Sequence, residues 1–331
     1  MSVLADTHPT LLDLAKRQDP DGKIARIVEM LGQTNEILED MTWVEGNLIT
    51  GHTSTVRTGL PSVTWRKMYG GVQPSKSKTA QVTDNTGMLE AYAEVDKALA
   101  DLNGNTAEFR LSEDKSFIES MSQELAETLF YGNEGSEPEA FTGFSPRFND
   151  STASNGENII KGGSSDTDNQ SMWLVVWGPD TVHGIIPKGS NAGLQHRDLG
   201  EQTKQNADGS MFQVYRSHYR WDAGLTVRDW RYIVRIPNIE ISALTADASG
   251  GAKLLELMDD AISQIPNLGA GRPVFYMSRK INSYLRKQMK AAVKNSTLTM
   301  EKNEFGRWVP TYDGIPLKKV DKLAANEALV V

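Results

Sequence analysis

The sequence predicts an α+β protein in two parts, a long helix in the first and a sheet with two flanking helices in the second. Three observations carry this. Apolar residues recur at helical spacing over about 107–131, Gly132 ends that run, and residues 132–170 are rich in Gly, Ser, Asn and Asp. Beyond them the period switches to the alternation of strands. The 331 residues, 39% hydrophobic and 24% charged, are enough for two packed domains.

Residues 1–20 are polar and end in Asp19-Pro20-Asp21-Gly22, a turn cluster that closes an arm. Over 23–41, Ile24, Ile27, Val28, Leu31, Leu38 and Met41 fit an amphipathic helix capped by Asp21 and weakened at Gly32. Between 42 and 83 the periodicity is lost, and Trp65 and Tyr69 stand among Arg57, Arg66, Lys67, Lys76 and Lys78. A patternless stretch of this length is either disordered or an extended functional excursion. Alternation over 62–67 suggests a β-ribbon. Leu89, Ala91, Ala93 and Val95 alternate with Glu90, Tyr92 and Glu94, which favours a half-buried returning strand, with helix left open by the Ala and Glu content.

Asn103-Gly104-Asn105-Thr106 is a turn with a capping residue, after which Leu111, Ile118, Met121, Leu125 and Leu129 mark one helix stripe. At about 1.5 Å per residue this helix spans roughly 37 Å. Past the break, 172–177 and 182–186 flank Gly178-Pro179-Asp180, and 212–219 and 225–236 flank Asp222-Ala223-Gly224; both read as hairpins. In the last strand Trp230, Tyr232, Val234 and Ile236 face one way, Asp229, Arg231 and Arg235 the other. Leu254, Leu257, Met258, Ala261, Ile262 and Ile265 form a helix stripe, and Ser278 caps a second helix through Ile281, Leu285 and Ala292. Short strands around Trp308, Ile315 and Val320 close the chain.

The chemistry-bearing patterns are thin. With no cysteine, disulfides, thiolate nucleophiles and cysteine-ligated zinc are excluded. Residues 1–20 lack a secretory signal and no apolar run approaches a membrane span. Gly143-Phe144-Ser145-Pro146-Arg147 lacks the second glycine of a nucleophile elbow. Gly70-Gly71 and Gly162-Gly163 lack phosphate-loop spacing and read as turns. His8, His52, His183, His196 and His218 show no metal-ligand spacing, and Asp166-Thr167-Asp168-Asn169 starts like a calcium loop that Met172 and Trp173 then spoil. These residues imply no enzyme, cofactor or metal. The net charge of −8 argues against a dedicated nucleic-acid binder. Arg216, Arg220, Arg228, Arg231 and Arg235 do interleave with Tyr215, Tyr219, Trp221, Trp230 and Tyr232, as in a single-strand platform. The favoured reading is a sheet face whose arginines pair with neighbouring acids.

The order of elements carries a resemblance, together with Glu94-Val95-Asp96-Lys97-Ala98-Leu99, Leu129-Phe130-Tyr131-Gly132-Asn133 and Phe141-Thr142-Gly143-Phe144. Val176-Trp177-Gly178, Pro187-Lys188-Gly189-Ser190, Gly193-Leu194, Phe275-Tyr276-Met277-Ser278 and Tyr312-Asp313-Gly314-Ile315-Pro316-Leu317 add to it. In these the chain resembles the Hong Kong 97-type major capsid proteins of tailed double-stranded DNA phages, above all short-tailed phages such as those infecting Salmonella and Bordetella. The resemblance implies an N-terminal arm and helix at 1–41, an extended E-loop at 42–95, a peripheral domain at 96–164 and 306–331 with its spine helix at about 105–131, and an axial domain at 165–305.

It further implies a structural, non-enzymatic protein that assembles with itself into the pentamers and hexamers of an icosahedral shell around the phage genome. A separate scaffolding protein is expected, since no long N-terminal extension is present. A portal protein, a decoration or cement protein and non-specifically contacted double-stranded DNA are the other expected partners, with no membrane. Assembly is expected in the host bacterial cytoplasm and residence in the virion capsid. Trp65 and Tyr69 are the expected intersubunit anchors, with Arg66 and Lys67 pairing with acids on an adjacent subunit; the alternative for Trp65 is a place in its own core. The family's Lys–Asn crosslink is not carried over, because no motif identifies the asparagine. An encapsulin-like nanocompartment shell and, more remotely, a nucleic-acid-binding module stand as alternatives.

Overall fold

The computed structural model describes residues 33–102, 106–163, 167–206, 208–291, 298–302, 308–323 and 326–331. The predicted arm and residues 23–32 of the first predicted helix lie outside the described residues. In chain order the elements are α1 (Ile37–Asp40), β1 (Trp43–Glu45), β2 (Gly51–Gly59), β3 (Lys78–Asp96), α2 (Lys97–Asp101) and α3 (Thr106–Tyr131). Then come β4 (Asn169–Trp177), β5 (Val182–Ile186), β6 (Gln195–Gln205), β7 (Met211–Val227), β8 (Ile233–Glu240), α4 (Leu254–Gln264), β9 (Arg272–Met277), α5 (Arg279–Ala291), β10 (Leu298–Lys302), β11 (Trp308–Tyr312) and β12 (Ile315–Lys319).

β4 is the centre of the packing. Its pleat sends Trp173, Val175 and Trp177 to one face and Met172, Leu174 and Val176 to the other, and every one of them is buried. A strand covered on both faces reads as one continuous apolar run. On the first face lie Leu125, Leu129 and Phe130 of α3 with Phe141, Phe144 and Phe148; on the second lie Leu254, Met258 and Ala261 of α4 and Ile281 and Leu285 of α5. The result is a three-layer body, helix on sheet on helices. β8 and β9 flank β4 antiparallel, and β12 runs parallel to β9. β5 joins this body to β7, which pairs with β6 on one side and β3 on the other; β2 pairs with the outer half of β3.

α1 is tied to the sheet by a buried polar network. Trp177 Nε1 donates to the Tyr276 hydroxyl (2.8 Å), which donates to Asp40 (2.7 Å), and Lys318 Nζ donates to the same carboxylate (2.6 Å). Burial, and then the neighbouring Asp40 charge, push the Tyr276 hydroxyl well above its ordinary pKa.

α3 spans the predicted helix, but its stripe is only half right. Met121, Leu125 and Leu129 are buried, whereas Leu111 and Ile118 are exposed, and Phe109 takes the inward position beside Val95, Leu99 and Ala100. Gly132 ends the helix as expected: its N–H reaches Thr128 O (2.9 Å), and a Cβ there would stand 2.5 Å from Phe141 O. α4 and α5 lie where their stripes place them, and Ser278 Oγ accepts from Ile281 N–H (3.3 Å) as the cap of α5.

Both predicted hairpin turns are corrected. Gly178-Pro179-Asp180 rounds a corner between strands that meet only at a single parallel pair, Trp177 with Val182; Thr181 Oγ1 donates to Val176 O (2.7 Å) and β5 departs to pair with β7. Asp222-Ala223-Gly224 lies inside β7, a strand of 17 residues. Gly224 is there for close approach, since a Cβ would meet Asn85 O at 2.8 Å, and Asp222 is buried and takes bonds from Ser190 (2.6 Å) and Arg220 (2.9 Å). Trp230 and Tyr232 belong to a 3-10 turn (Trp230–Tyr232) that Asp229 caps, so the predicted alternation holds only from Ile233 on.

Candidate assembly surface

β2 and β3 form the excursion expected between 42 and 83, with different strands. The segment 62–67 is not a strand; the ribbon is made by residues 51–59 against 78–85, and 62–67 lies in the loop joining them. Threonines and valine at alternating positions of β2 suit a pleated, two-sided ribbon. Its base is clamped. Asn47 exchanges two bonds with the Thr53 backbone (2.8 Å each), and Gly51 passes Asp84 O so closely that a Cβ would stand 2.2 Å away. Asp84 is buried and pairs with Arg147 (2.8 Å). The inner half of β3, from Thr86 to Asp96, is locked in register to β7.

Residues 60–77 form the tip. The Ser75 hydroxyl donates to Ser62 O (2.8 Å), and Gly70 N–H to Lys67 O (3.0 Å) in a turn that puts Tyr69 at φ 64°, a left-handed conformation uncommon outside glycine. All four predicted contact residues sit here. Trp65 and Tyr69 are 103% and 102% exposed, and Arg66 and Lys67 are exposed beside them. Trp65 is therefore outside its own subunit's core. The sequence reading missed Leu60, Val63, Met68 and Val72, which are exposed on the same tip. Their apolar character was visible, but no periodicity linked them.

A second ribbon, β6 with β7, runs beside β3 and is held by charge. Glu94 pairs with Lys204 and with Arg216 (2.5 Å), Lys97 with Glu201 (2.7 Å) and Arg110 with Asp198 (2.7 Å). Burial alone would raise the Glu94 pKa, but the hydrogen bond from Lys204 and the two cationic charges outweigh it and hold the carboxyl below its ordinary value. The five interleaved arginines are each committed to an acid of their own chain. Arg216 is on Glu94, Arg220 on Asp222 (2.9 Å), Arg228 on Asp180 (3.1 Å), Arg231 on Asp229 (2.7 Å) and Arg235 on Glu327 (2.7 Å). The aromatics between them are occupied as well: His196 stacks on Tyr219, and Tyr215 lies under Arg110. This is the sheet-face arrangement that the sequence favoured over a single-strand platform.

Of the histidines, His8 lies outside the described residues, as does Asp166 of the calcium-like start. His52 and His183 meet edge to face at the base of the ribbon, and His218 stacks on Tyr92. Among the described residues no group of three or more His, Asp or Glu side chains is placed to hold a metal ion. No helix among them is long and apolar enough to cross a membrane. The surface that remains is one for protein contact.

The family model described as major capsid protein GP7 matches residues 19–331. The chain belongs to that family. It is 36% identical to the protein in a near-atomic structure of bacteriophage Epsilon15, covering 100% of this chain and 99% of that one with a TM-score of 0.80. The Hong Kong 97-type capsid fold expected from the sequence is thus present, and the chain is a structural protein of a phage capsid shell, resident in the virion. The capsid of bacteriophage JBD30 is a weaker likeness, 10% identical with a TM-score of 0.48 over 91% of this chain and 96% of that one. An encapsulin complex from Synechococcus elongatus is more distant, 11% identical with a TM-score of 0.42 over 70% of this chain and 97% of that one. A comparison with curated proteins yields no match.

Proposed function

We propose that the capsid protein builds pentameric and hexameric rings by laying the tip at 60–77 on an adjacent subunit, with Trp65 and Tyr69 as buried anchors and Arg66 and Lys67 pairing with acids there. The observation that carries this is the exposure of six large apolar side chains, Leu60, Val63, Trp65, Met68, Tyr69 and Val72, on a tip held away from its own body. Covering each such side chain contributes about 1.5–3 kcal/mol. A contiguous exposed apolar patch on a clamped ribbon marks an interaction site.

The domain layout follows the same reading. Residues 1–41 form the arm and first helix, 42–95 the E-loop, 96–164 with 306–331 the peripheral domain around α3, and 165–305 the axial domain at the ring centres. The protein acts through geometry and not through catalysis. A scaffolding protein, a portal protein, a decoration protein and non-specifically held double-stranded DNA are its partners, and assembly takes place in the host cytoplasm. Substituting Trp65→Ala tests the tip. Shell yield by electron microscopy falls sharply while the circular dichroism of the subunit is unchanged; shells of normal yield and size from the variant would sink the assignment.

A further inference from the structure

A groove opens at the base of the ribbon, between the inner end of β3 and the last turns of α3. Its cavity is about 170 Å³, floored by Leu125, Phe141 and Trp221 and edged by Glu124, Glu137 and Glu139. A cavity of roughly 150 Å³ already takes a benzene ring, so a single aromatic side chain is a suitable occupant. The three carboxylates are exposed and form no ion pair among the described residues.

The charge of the chain is divided to match. Residues 47–83 hold five basic residues and no acidic one, in a protein of net charge −8. Residues 106–139 hold nine acidic residues and two basic ones. An aromatic-basic tip and an apolar groove with an acidic edge are therefore complementary in both shape and sign. They cannot meet within one chain. The tip is separated from the groove at Gly87 by the ribbon of Lys78 to Thr86, nine residues at about 3.3 Å each, or roughly 30 Å. Folding it back would break the β2–β3 ladder.

We infer that the groove of Leu125, Phe141 and Trp221 is the receptor for the Trp65 tip of a second copy, with Glu124, Glu137 and Glu139 receiving Arg66 and Lys67. The inference rests on the role proposed above for the tip and adds where it lands. Tip and groove are different patches of one surface, so the contact is head-to-tail and closes into a ring when the rotation permits.

Two experiments test it. The chain has no cysteine, so Arg66→Cys with Glu139→Cys introduces one candidate pair; mild oxidation of assembled shells yields a denaturing-gel ladder of covalent multimers up to five and six chains. Second, Glu124→Lys with Glu139→Lys, and separately Arg66→Glu with Lys67→Glu, each lower shell yield about tenfold or more, and the four substitutions together recover it to within about threefold. Monomers only on the gel, together with no recovery in the fourfold variant, overturn the groove. If Trp65→Ala abolishes shells while the groove variant assembles normally, the tip keeps its role and only its receptor is wrong. If Trp65→Ala assembles normally, the tip itself fails.

Discussion

Arg235 is enclosed by groups that each answer part of its guanidinium. Nε donates to Ser171 Oγ (3.1 Å), one terminal nitrogen to Phe148 O (2.8 Å) and the other to Glu327 (2.7 Å), over the face of Trp173. Both side chains of the ion pair are nearly inaccessible, at 3% and 5% exposure. Removing one member leaves a buried charge unanswered, so Arg235→Ala lowers unfolding stability by about 3–5 kcal/mol in urea titrations, whereas Arg235→Met with Glu327→Leu costs far less. No local spacing discloses that pair, because its members are 92 positions apart.

His183 gives a second prediction at this scale. Burial first, then the charges of His52 and Arg228, lower its pKa from 6.5 to about 4, with Asp84 opposing them. The unfolded chain therefore takes up a proton below pH 6.5 that the folded chain refuses, and stability falls as the pH drops from 6.5 towards 4. The loss reaches roughly 3 kcal/mol, and His52 shifts in the same direction. Replacing His183→Gln flattens this part of the stability–pH curve. An unchanged slope would mean that the acid sensitivity lies elsewhere.

At the scale of elements, helices were legible and turns were not. The stripe at 121–129 and the stop at Gly132 are local facts, and α3 obeys them. Asp222-Ala223-Gly224 has a turn's composition for a different reason: Gly224 makes room for Asn85, and Asp222 is a buried acceptor. Both reasons come from residues far along the chain, which a window of sequence does not contain. The ribbon shows the same limit, since its strands are set by the pairing of β2 with β3 and not by the short alternation at 62–67. Gly132→Ala places a Cβ 2.5 Å from Phe141 O and 2.6 Å from Thr128 O. Chemical denaturation should show a loss of about 1–3 kcal/mol as the helix end and the Phe141 segment move apart; a neutral result would mean that the segment yields freely.

At the scale of the whole molecule, α3 and the sheet form a stiff body from which one basic, apolar tip projects, and the acidic groove waits at the other end of the ribbon. The four contact residues were legible because aromatics among lysines and arginines stand out in an acidic chain. The groove was not, because Phe141 and Trp221 reach it from separate elements. Exposed ion pairs between tip and groove are screened over a Debye length of about 8 Å at physiological salt. Shell assembly, followed by light scattering, should therefore slow as ionic strength rises, and Arg66→Glu should reverse that dependence. The most direct test is an electron cryomicroscopy reconstruction of the assembled shell at side-chain resolution. The account predicts the Trp65 ring against Leu125 and Phe141 of an adjacent subunit; a Trp65 ring lying in solvent, or packed on its own subunit, would contradict it.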